Sequence, residues 1–172
     1  GEQDIKYINK AAELLEISDI LYKIELRQLG GYANIDKVWN FYKNNNVELI
    51  PTKKIFLYDC DIQRNDEDFG MLHKRIIPKF KENKIQKGIE NLFNDNTIEK
   101  AKKHKSAFID HYTQKGSRRG VEYENHSHNI NEDEKTNLCD WLCEYGTKED
   151  FINFKAIFRI FETIINIENI KH

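Results

Sequence analysis

The stretch KKIFLYDCDIQRNDEDFG, residues 53–70, decides how the rest of the chain is interpreted. It begins as a short apolar run, typical of a buried strand, and it ends in a cluster of acidic side chains. Asp59 and Asp61 stand where the apolar run stops, with one residue between them. Side chains two apart on a strand point to the same side, so these carboxylates would repel each other unless a cation lies between them. Oxygen ligands suit Mg²⁺ or Mn²⁺. The alternative is a pair of solvated acids in an acidic turn, because residues 66–68 are acidic as well.

Helical and strand patterns alternate along the chain. Helical spacing of apolar residues predicts helices over residues 4–16, 34–45, 97–108, 131–146 and 147–167, the last with a capping box from Thr147 to Asp150. Strands are predicted over residues 22–29, 54–59 and 74–80, and residues 113–131 are predicted to be mostly loop. This order predicts an α/β fold with a mostly parallel sheet flanked by helices, and with further helices at the C-terminal end. Ligands bind such sheets at the carboxyl ends of the strands, which is where Asp59 and Asp61 stand.

Composition limits the class of protein. The 172 residues are 33% charged and 39% hydrophobic, with a net charge of −2, so we expect one globular domain over residues 1–172 rather than a disordered chain. No apolar run approaches membrane-spanning length and no signal-peptide pattern opens the sequence, which favours a cytoplasmic protein without a membrane partner. The three cysteines are interpreted as reduced thiols.

Charge is distributed unevenly. Residues 73–119 contain 13 Lys or Arg against 5 Asp or Glu, whereas the segments on either side are acidic. A basic segment of this kind suggests a surface for a polyanion such as DNA or RNA. Arg118 and Arg119, predicted to lie in a Gly-flanked loop, are the candidate nucleic-acid contacts. The alternative is a set of solvated lysines on exposed turns.

A family resemblance is carried by four stretches of the sequence. FLYDCD at residues 56–61 resembles the DxD strand of the TOPRIM fold, which processes nucleic acids in topoisomerases, primases and OLD-type (overcoming lysogenization defect) nucleases. GEQDIKYINKAAELL at the start resembles the segment after the catalytic glutamate of the EGxxD motif, with Gly1 and Asp4 in matching positions. KGIENLF at residues 87–93 and NEDEKTNLCDWL at residues 131–142 are similar to the acidic motif and the late lysine segment of the OLD-type branch.

The resemblance implies particular roles for particular residues. Asp4, Asp59, Asp61 and Glu90 would hold two Mg²⁺ or Mn²⁺ ions, with Asp59 and Asp61 counted as catalytic, and Lys135 would be a catalytic cation. Where the family often has a serine two residues before the glutamate, this chain has Gly88. The family's glutamate before Gly1 and the first strand of its sheet are absent, so we expect a fragment that is inactive alone. The expected partners are nucleic acid, an ATPase module in the same polypeptide or complex, and further copies of the chain.

Two functions of different classes are implied by the resemblance. The first is a metal-dependent nuclease that hydrolyses phosphodiester bonds as the effector of a bacterial anti-phage defence system. Two metal ions about 4 Å apart can activate water and stabilise the leaving oxygen. The second is a non-catalytic TOPRIM-like module that regulates or contacts an attached ATPase. A topoisomerase or primase core is disfavoured, because nothing in the sequence resembles a topoisomerase tyrosine domain or a primase zinc-binding region.

Three other interpretations are weaker. A zinc site built from His126, His128, Cys139 and Cys143 matches no common structural zinc spacing. A nucleophilic role for Cys60 is disfavoured, because its side chain is expected to point away from the two aspartates into the core. The two tryptophans, at positions 39 and 141, are predicted to be core residues rather than platforms for nucleic-acid bases.

Overall fold

A computed structural model describes residues 1–45 and 52–167. In these residues the helices are α1 (Glu2–Leu14), α2 (Tyr32–Asn44), α3 (Asp95–His104), α4 (Lys135–Tyr145) and α5 (Lys155–Ile165). The strands are β1 (Lys54–Tyr58), β2 (Glu67–Phe69), β3 (Leu72–Ile76), β4 (Ile109–Arg118) and β5 (Val121–Ile130). The fold is therefore mixed α/β, with a small sheet flanked by helices.

Strand β1 is covered on both faces, as its apolar sequence predicts. Phe56 and Tyr58 are buried in a cluster with Trp39 of α2, whereas Ile55 and Leu57 pack against the larger helical core. This alternation is the two-residue period of a strand between two layers. The alternation determines which side chains of β1 point to the α2 side of the sheet and which point to the larger core.

The sheet has the strand order β1-β3-β2. Strands β1 and β3 are parallel, with Tyr58 opposite Ile76, and β2 pairs antiparallel with β3. The sheet predicted to be mostly parallel is thus mixed, with one pairing of each kind. The chain passes from β1 to β3 through the short β2 hairpin rather than through a helix. Consequently the carboxyl ends of the two parallel strands still lie side by side.

The larger core consists mainly of residues from the helices and the segments between them. Helix α5 and the turn before it contribute Phe151, Phe154, Ile157, Phe158 and Phe161, all nearly inaccessible to solvent. This is the stripe that the helical spacing predicts. The predicted capping residues do contact each other, since Thr147 N donates to Asp150 Oδ2 at 2.9 Å. However, residues 148–151 form a turn and residues Ile152–Phe154 a 3₁₀ turn, so the α-helix begins later than predicted.

Strands β4 and β5 form a long antiparallel hairpin, whose register runs from Ile109 opposite Ile130 to Arg118 opposite Val121. The two residues between the strands, Arg119 and Gly120, have φ angles of 53° and 77°. Positive φ at both positions is the backbone of a tight hairpin turn that matches the twist of the strands. Most side chains on both faces of this hairpin are exposed.

Two sequence predictions of local structure are wrong. Residues 113–131, predicted to be mostly loop, form most of the hairpin, because strands exposed on both faces have no apolar alternation that a sequence pattern can detect. Residues 22–29, predicted to be a strand, continue a 3₁₀ turn at Ser18–Lys23 and then lack regular structure. Helix α2 begins at Tyr32 after Gly31 rather than at the predicted Asn34 cap. Of the helices described, none has the combined length and apolarity needed to cross a membrane.

Candidate metal and catalytic site

Asp59 and Asp61 lie beyond the end of β1, where residues 60–61 form a turn. Ile62 N donates to Asp59 O at 3.2 Å, so the backbone reverses direction here. The prediction that the two aspartates project together from one strand is therefore wrong in its geometry, because the strand ends at Tyr58. Asp59 is partly buried, whereas Asp61 is exposed and its Oδ1 accepts a hydrogen bond from Gly88 N at 2.9 Å.

The carboxylates of Asp4, Asp59 and Glu90 nevertheless interact with one another. Burial, followed by repulsion from Asp4 and Asp61, raises the pKa of Asp59. Burial likewise raises the pKa of Glu90 to about 7, although the charge of Lys135 opposes this shift; repulsion from Asp4 and Asp59 adds smaller contributions in the same direction as burial. Helix α1, the end of β1 and the turn at Ile89–Leu92 thus bring these three acids into one electrostatic neighbourhood.

Glu90 is the most enclosed of these acids, with 2% of its surface exposed. Its Oε1 atom has no hydrogen-bond partner in the described part of the chain. Its other oxygen, Oε2, lies over Gly88, where a Cβ atom would come within 2.5 Å of it. Gly88 also has a φ of 67°, which favours glycine. The backbone at position 88 therefore favours glycine, and a side chain there would displace the Glu90 carboxylate.

Asn91 holds the turn that carries Glu90. Its side chain is inaccessible to solvent, and its Nδ2 atom donates to Phe80 O at 2.9 Å and to Ile85 O at 2.7 Å. Its Oδ1 atom accepts from Phe80 N at 2.8 Å, and its backbone oxygen accepts from Asn83 Nδ2 at 2.7 Å. These bonds fix the position of the neighbouring glutamate, because a fully bonded amide cannot move without breaking several of them.

Lys135, at the start of α4, is the cation of this site. Its Nζ atom lies 3.8 Å from Glu90 Oε1, an ion pair that is too long for a hydrogen bond. Burial opposes the charge on Lys135, but the attraction of Glu90, then of Glu132, and less of Asp4 and Asp59 outweighs it and raises the pKa of the lysine. The sequence placed Lys135 near the acids only by resemblance, and the structure brings it there.

A cavity of about 360 Å³ opens beside Glu90 and Lys135. Its other lining residues are Ile85, Lys87, Gly88, Asp110, Tyr112, Asn129, Ile130, Asn131, Glu132 and Asp133. The cavity thus joins the acidic turn to the base of the β4–β5 hairpin, and Ile85 is bridged to His128 of β5. Asp4, Asp59 and Asp61 lie outside this lining.

The donor set fits a hard divalent cation in its chemistry. A buried carboxylate oxygen without a hydrogen-bond partner, among further carboxylates, is an arrangement that a cation stabilises. The side chains are not gathered as closely as ligands would be: across residues 1–45 and 52–167, no three His, Cys, Asp or Glu side chains are grouped to hold one ion. Asp61 accepts a hydrogen bond from Gly88 N, so it has a protein partner instead.

Many cations of the basic segment, residues 73–119, are paired with acidic side chains of the protein and are not all available to a polyanion. Six of its cations form ion pairs: Lys74, Arg75, Lys84, Lys100, Lys105 and Lys115. Arg118 ends β4 rather than lying in a loop as predicted, whereas Arg119 lies in the two-residue turn at the tip of the hairpin. They are six or more residues along the strand from Tyr112 at the cavity, roughly 20 Å at 3.4 Å per residue. They therefore do not lie beside the carboxylates.

The weaker candidates are separated. His126 and His128 stack against His111 on the hairpin, whereas Cys139 lies on α4 with its Sγ atom 3.7 Å from Gln3 O. Burial raises the pKa of the Cys60 thiol to about 11, which makes it a poor nucleophile.

Both tryptophans are engaged within the fold. Trp39 is buried, with 2% of its surface exposed. Trp141 is half-buried and stacks on His104, with ring centroids 4.9 Å apart.

Several residues of the site were not identified from the sequence. Tyr7 is buried beside the acids, and burial, followed by the charge of Glu90, raises its pKa. Asn91 has a signal that could have been used, because a polar residue inside the apolar run IENLF needs buried partners. Tyr112 and Asn129 line the cavity only because the hairpin folds back beside Glu90, and nothing local marks them.

Comparison of this chain with protein-family models, with curated proteins and with solved structures finds no match. The resemblance to TOPRIM domains accordingly rests on the sequence motifs alone.

Proposed function

We propose that this chain is a TOPRIM-like, metal-dependent nuclease domain of OLD type, which hydrolyses phosphodiester bonds in DNA or RNA. The observation that carries the proposal is the shared electrostatic neighbourhood of Asp4, Asp59 and Glu90 beyond the end of β1, with Lys135 paired to Glu90. Mutually repelling, partly buried acids destabilise a fold, and they concentrate at functional sites. The DxD sequence and its location at the carboxyl ends of parallel strands support the same conclusion.

The residues of the chain have separable tasks in this proposal. Glu90 and Asp59 supply buried carboxylate oxygens, and Asp4 and Asp61 supply further oxygens from α1 and from the turn after β1. Lys135 stabilises negative charge that accumulates on the phosphate in the transition state. Asn91 and Gly88 act as positioning residues, because they fix the orientation of the Glu90 carboxylate.

The acids would hold Mg²⁺ or Mn²⁺. A bound divalent cation supplies a Lewis acid for the phosphate and lowers the pKa of a water molecule. Closer approach of the carboxylates would be needed for one ion to contact three of them. The ATPase module, self-association and a role in bacterial anti-phage defence belong to the same proposal, and the sequence motifs are their only support.

The experiment uses the intact polypeptide that contains these residues. Plasmid, linear DNA and tRNA are incubated with Mg²⁺, Mn²⁺ or EDTA, and the products are separated on gels. We expect cleavage with the metals and none with EDTA. Asp59→Asn keeps the size of the side chain and is expected to lower cleavage by about 100-fold or more. Asp19→Asn, at an exposed turn remote from the acids, is the matched control and is expected to cleave like the parent.

The outcomes separate the two classes of function. Cleavage that persists in Asp59→Asn contradicts the assigned site. No cleavage of any substrate, together with a change in ATP hydrolysis when Asp59 is replaced, supports the alternative of a non-catalytic module. Metal binding is measured separately by calorimetry on the parent and on Asp59→Asn, so that loss of metal and loss of chemistry are not confused.

A further inference from the structure

The β4–β5 hairpin has two chemically different faces. Because side chains alternate along a strand, the paired residues divide into two sets. One face carries the charged and imidazole groups, with Lys115, Glu122, Glu124, His111, His126 and His128. The opposite face carries tyrosines, amides and hydroxyl groups between one charged residue at each end, with Asp110, Tyr112, Gln114, Arg118, Tyr123, Asn125, Ser127 and Asn129. We call this second set the tyrosine face.

The tyrosine face is continuous with the candidate site. Tyr112 and Asn129, at its base, line the same cavity as Glu90 and Lys135. At the other end, Arg118 and Tyr123 line a second cavity with Val121 at the tip of the hairpin. A ligand on this face would therefore extend from the carboxylates to the tip.

Both tyrosines are exposed enough to contact a ligand. Tyr123 packs against Gly116 of the opposite strand, since a Cβ atom at position 116 would come within 2.5 Å of its Cζ and hydroxyl oxygen atoms. The residue nevertheless remains 42% exposed. Tyr112 is 53% exposed and its hydroxyl lies 3.4 Å from Asp110 Oδ2. Tyr123 faces position 116, four residues beyond Tyr112, so the rings are roughly 14 Å apart along the strand.

Resting on the proposed nuclease function, we propose that the tyrosine face binds unpaired nucleotides of the substrate, whose bases stack on Tyr112 and Tyr123. Exposed aromatic rings beside amide groups suit the faces and edges of unstacked bases. A duplex presents its phosphates instead and requires many cations, whereas this face has Arg118 as its cation and Asp110 as an acid. A two-stranded hairpin is marginally stable by itself, so a ligand along it also stabilises it.

The test measures binding in EDTA, where cleavage does not interfere. Fluorescence anisotropy of the intact protein is recorded with a labelled 20-nucleotide single-stranded DNA, the RNA of the same sequence and the 20-base-pair DNA duplex. We expect at least one single strand to bind tighter than the duplex by about 5-fold or more. We expect Tyr112→Ala and Tyr123→Ala each to weaken that single strand roughly 5- to 100-fold, and the duplex less.

Three variants serve as controls. Tyr22→Ala removes an exposed tyrosine outside the hairpin, and Thr113→Ala alters the other face, so both are expected to bind like the parent. Gly116→Ala keeps both tyrosines but displaces the Tyr123 ring, and is expected to weaken the single strand as Tyr123→Ala does. Circular dichroism and sedimentation of every variant verify folding and oligomeric state.

Each result has a definite meaning. Duplex binding that equals or exceeds single-strand binding overturns the inference, as does unchanged binding in both tyrosine variants. If the tyrosine variants instead change the oligomeric state alone, the face contacts a second copy of the chain and the inference is wrong. Tyrosine-dependent binding without cleavage in Mg²⁺ or Mn²⁺ refutes the proposed nuclease but retains the binding face. Asp59-dependent cleavage with unaffected tyrosine variants refutes this inference alone.

Discussion

Replacing Glu90 with Gln should make the protein more stable at neutral and alkaline pH. Burial, with Asp4 and Asp59 nearby, raises the pKa of Glu90 from 4.5 to about 7 in the folded protein. The folded state therefore binds more protons than the unfolded state between about pH 4.5 and pH 7, and stability falls as pH rises through that window. Each pKa unit between the two states corresponds to about 1.4 kcal/mol, so the ionised carboxylate costs about 3 kcal/mol by pH 8. Gln fills the same space without ionising, which removes this cost.

The measurement is urea unfolding of the parent and of Glu90→Gln at intervals from pH 4 to pH 8, without divalent metal. We expect the difference in the free energy of unfolding to grow by about 3 kcal/mol in favour of the variant as pH rises. Other titrating groups are common to both proteins and largely cancel. Glu99→Gln is the control. A hydrogen bond from Lys84 lowers the pKa of Glu99, so this carboxylate is ionised in the folded and the unfolded state above pH 5.5. The difference in unfolding free energy between Glu99→Gln and the parent should therefore not change with pH above pH 5.5. Parallel stability curves for Glu90→Gln and the parent would refute the burial assigned to Glu90.

Three further predictions concern the same structure. Mg²⁺ or Mn²⁺ should stabilise the parent more at pH 8 than at pH 5, because a ligand carboxylate must be ionised, and thermal unfolding should show this effect reduced in Glu90→Gln. Asn91→Ala should destabilise the protein by about 2–4 kcal/mol in urea unfolding, since it leaves buried backbone groups unpaired; a loss below about 1 kcal/mol would show that the amide does not hold the turn. Asp150→Ala should destabilise the protein at pH 7, because this buried carboxylate accepts from Thr97 and Lys100 at 2.7 Å. Burial opposes the charge of Asp150, but Lys100 and the other donors outweigh burial and lower its pKa. The stabilisation by Asp150 is therefore fully present above about pH 4 and should be lost progressively as pH falls below it. A difference in unfolding free energy between the variant and the parent that is the same at pH 3 as at pH 7 would contradict this role of Asp150.

The sequence by itself determined strand β1 and the apolar stripe of α5. A short continuous apolar run predicts a strand covered on both faces, and apolar residues at helical spacing predict a helix with one buried face. The mixed α/β class and the position of Asp59 after a buried strand follow from the same patterns. Glu90 and Lys135 were assigned to the site by the family resemblance, because no local sequence pattern predicts that either residue lies near Asp59.

Only the tertiary structure decided how the site is assembled. The hairpin escaped prediction because neither face is buried along most of its length, so no alternation of apolar residues marks it. Its register then set which residues reach the cavity, and brought Tyr112 and Asn129 beside Glu90. The raised pKa of Glu90 is likewise a tertiary property, since it depends on burial and on acids from other elements. Spacing along the chain encodes which face of an element is buried, whereas distances between elements arise only when the chain packs.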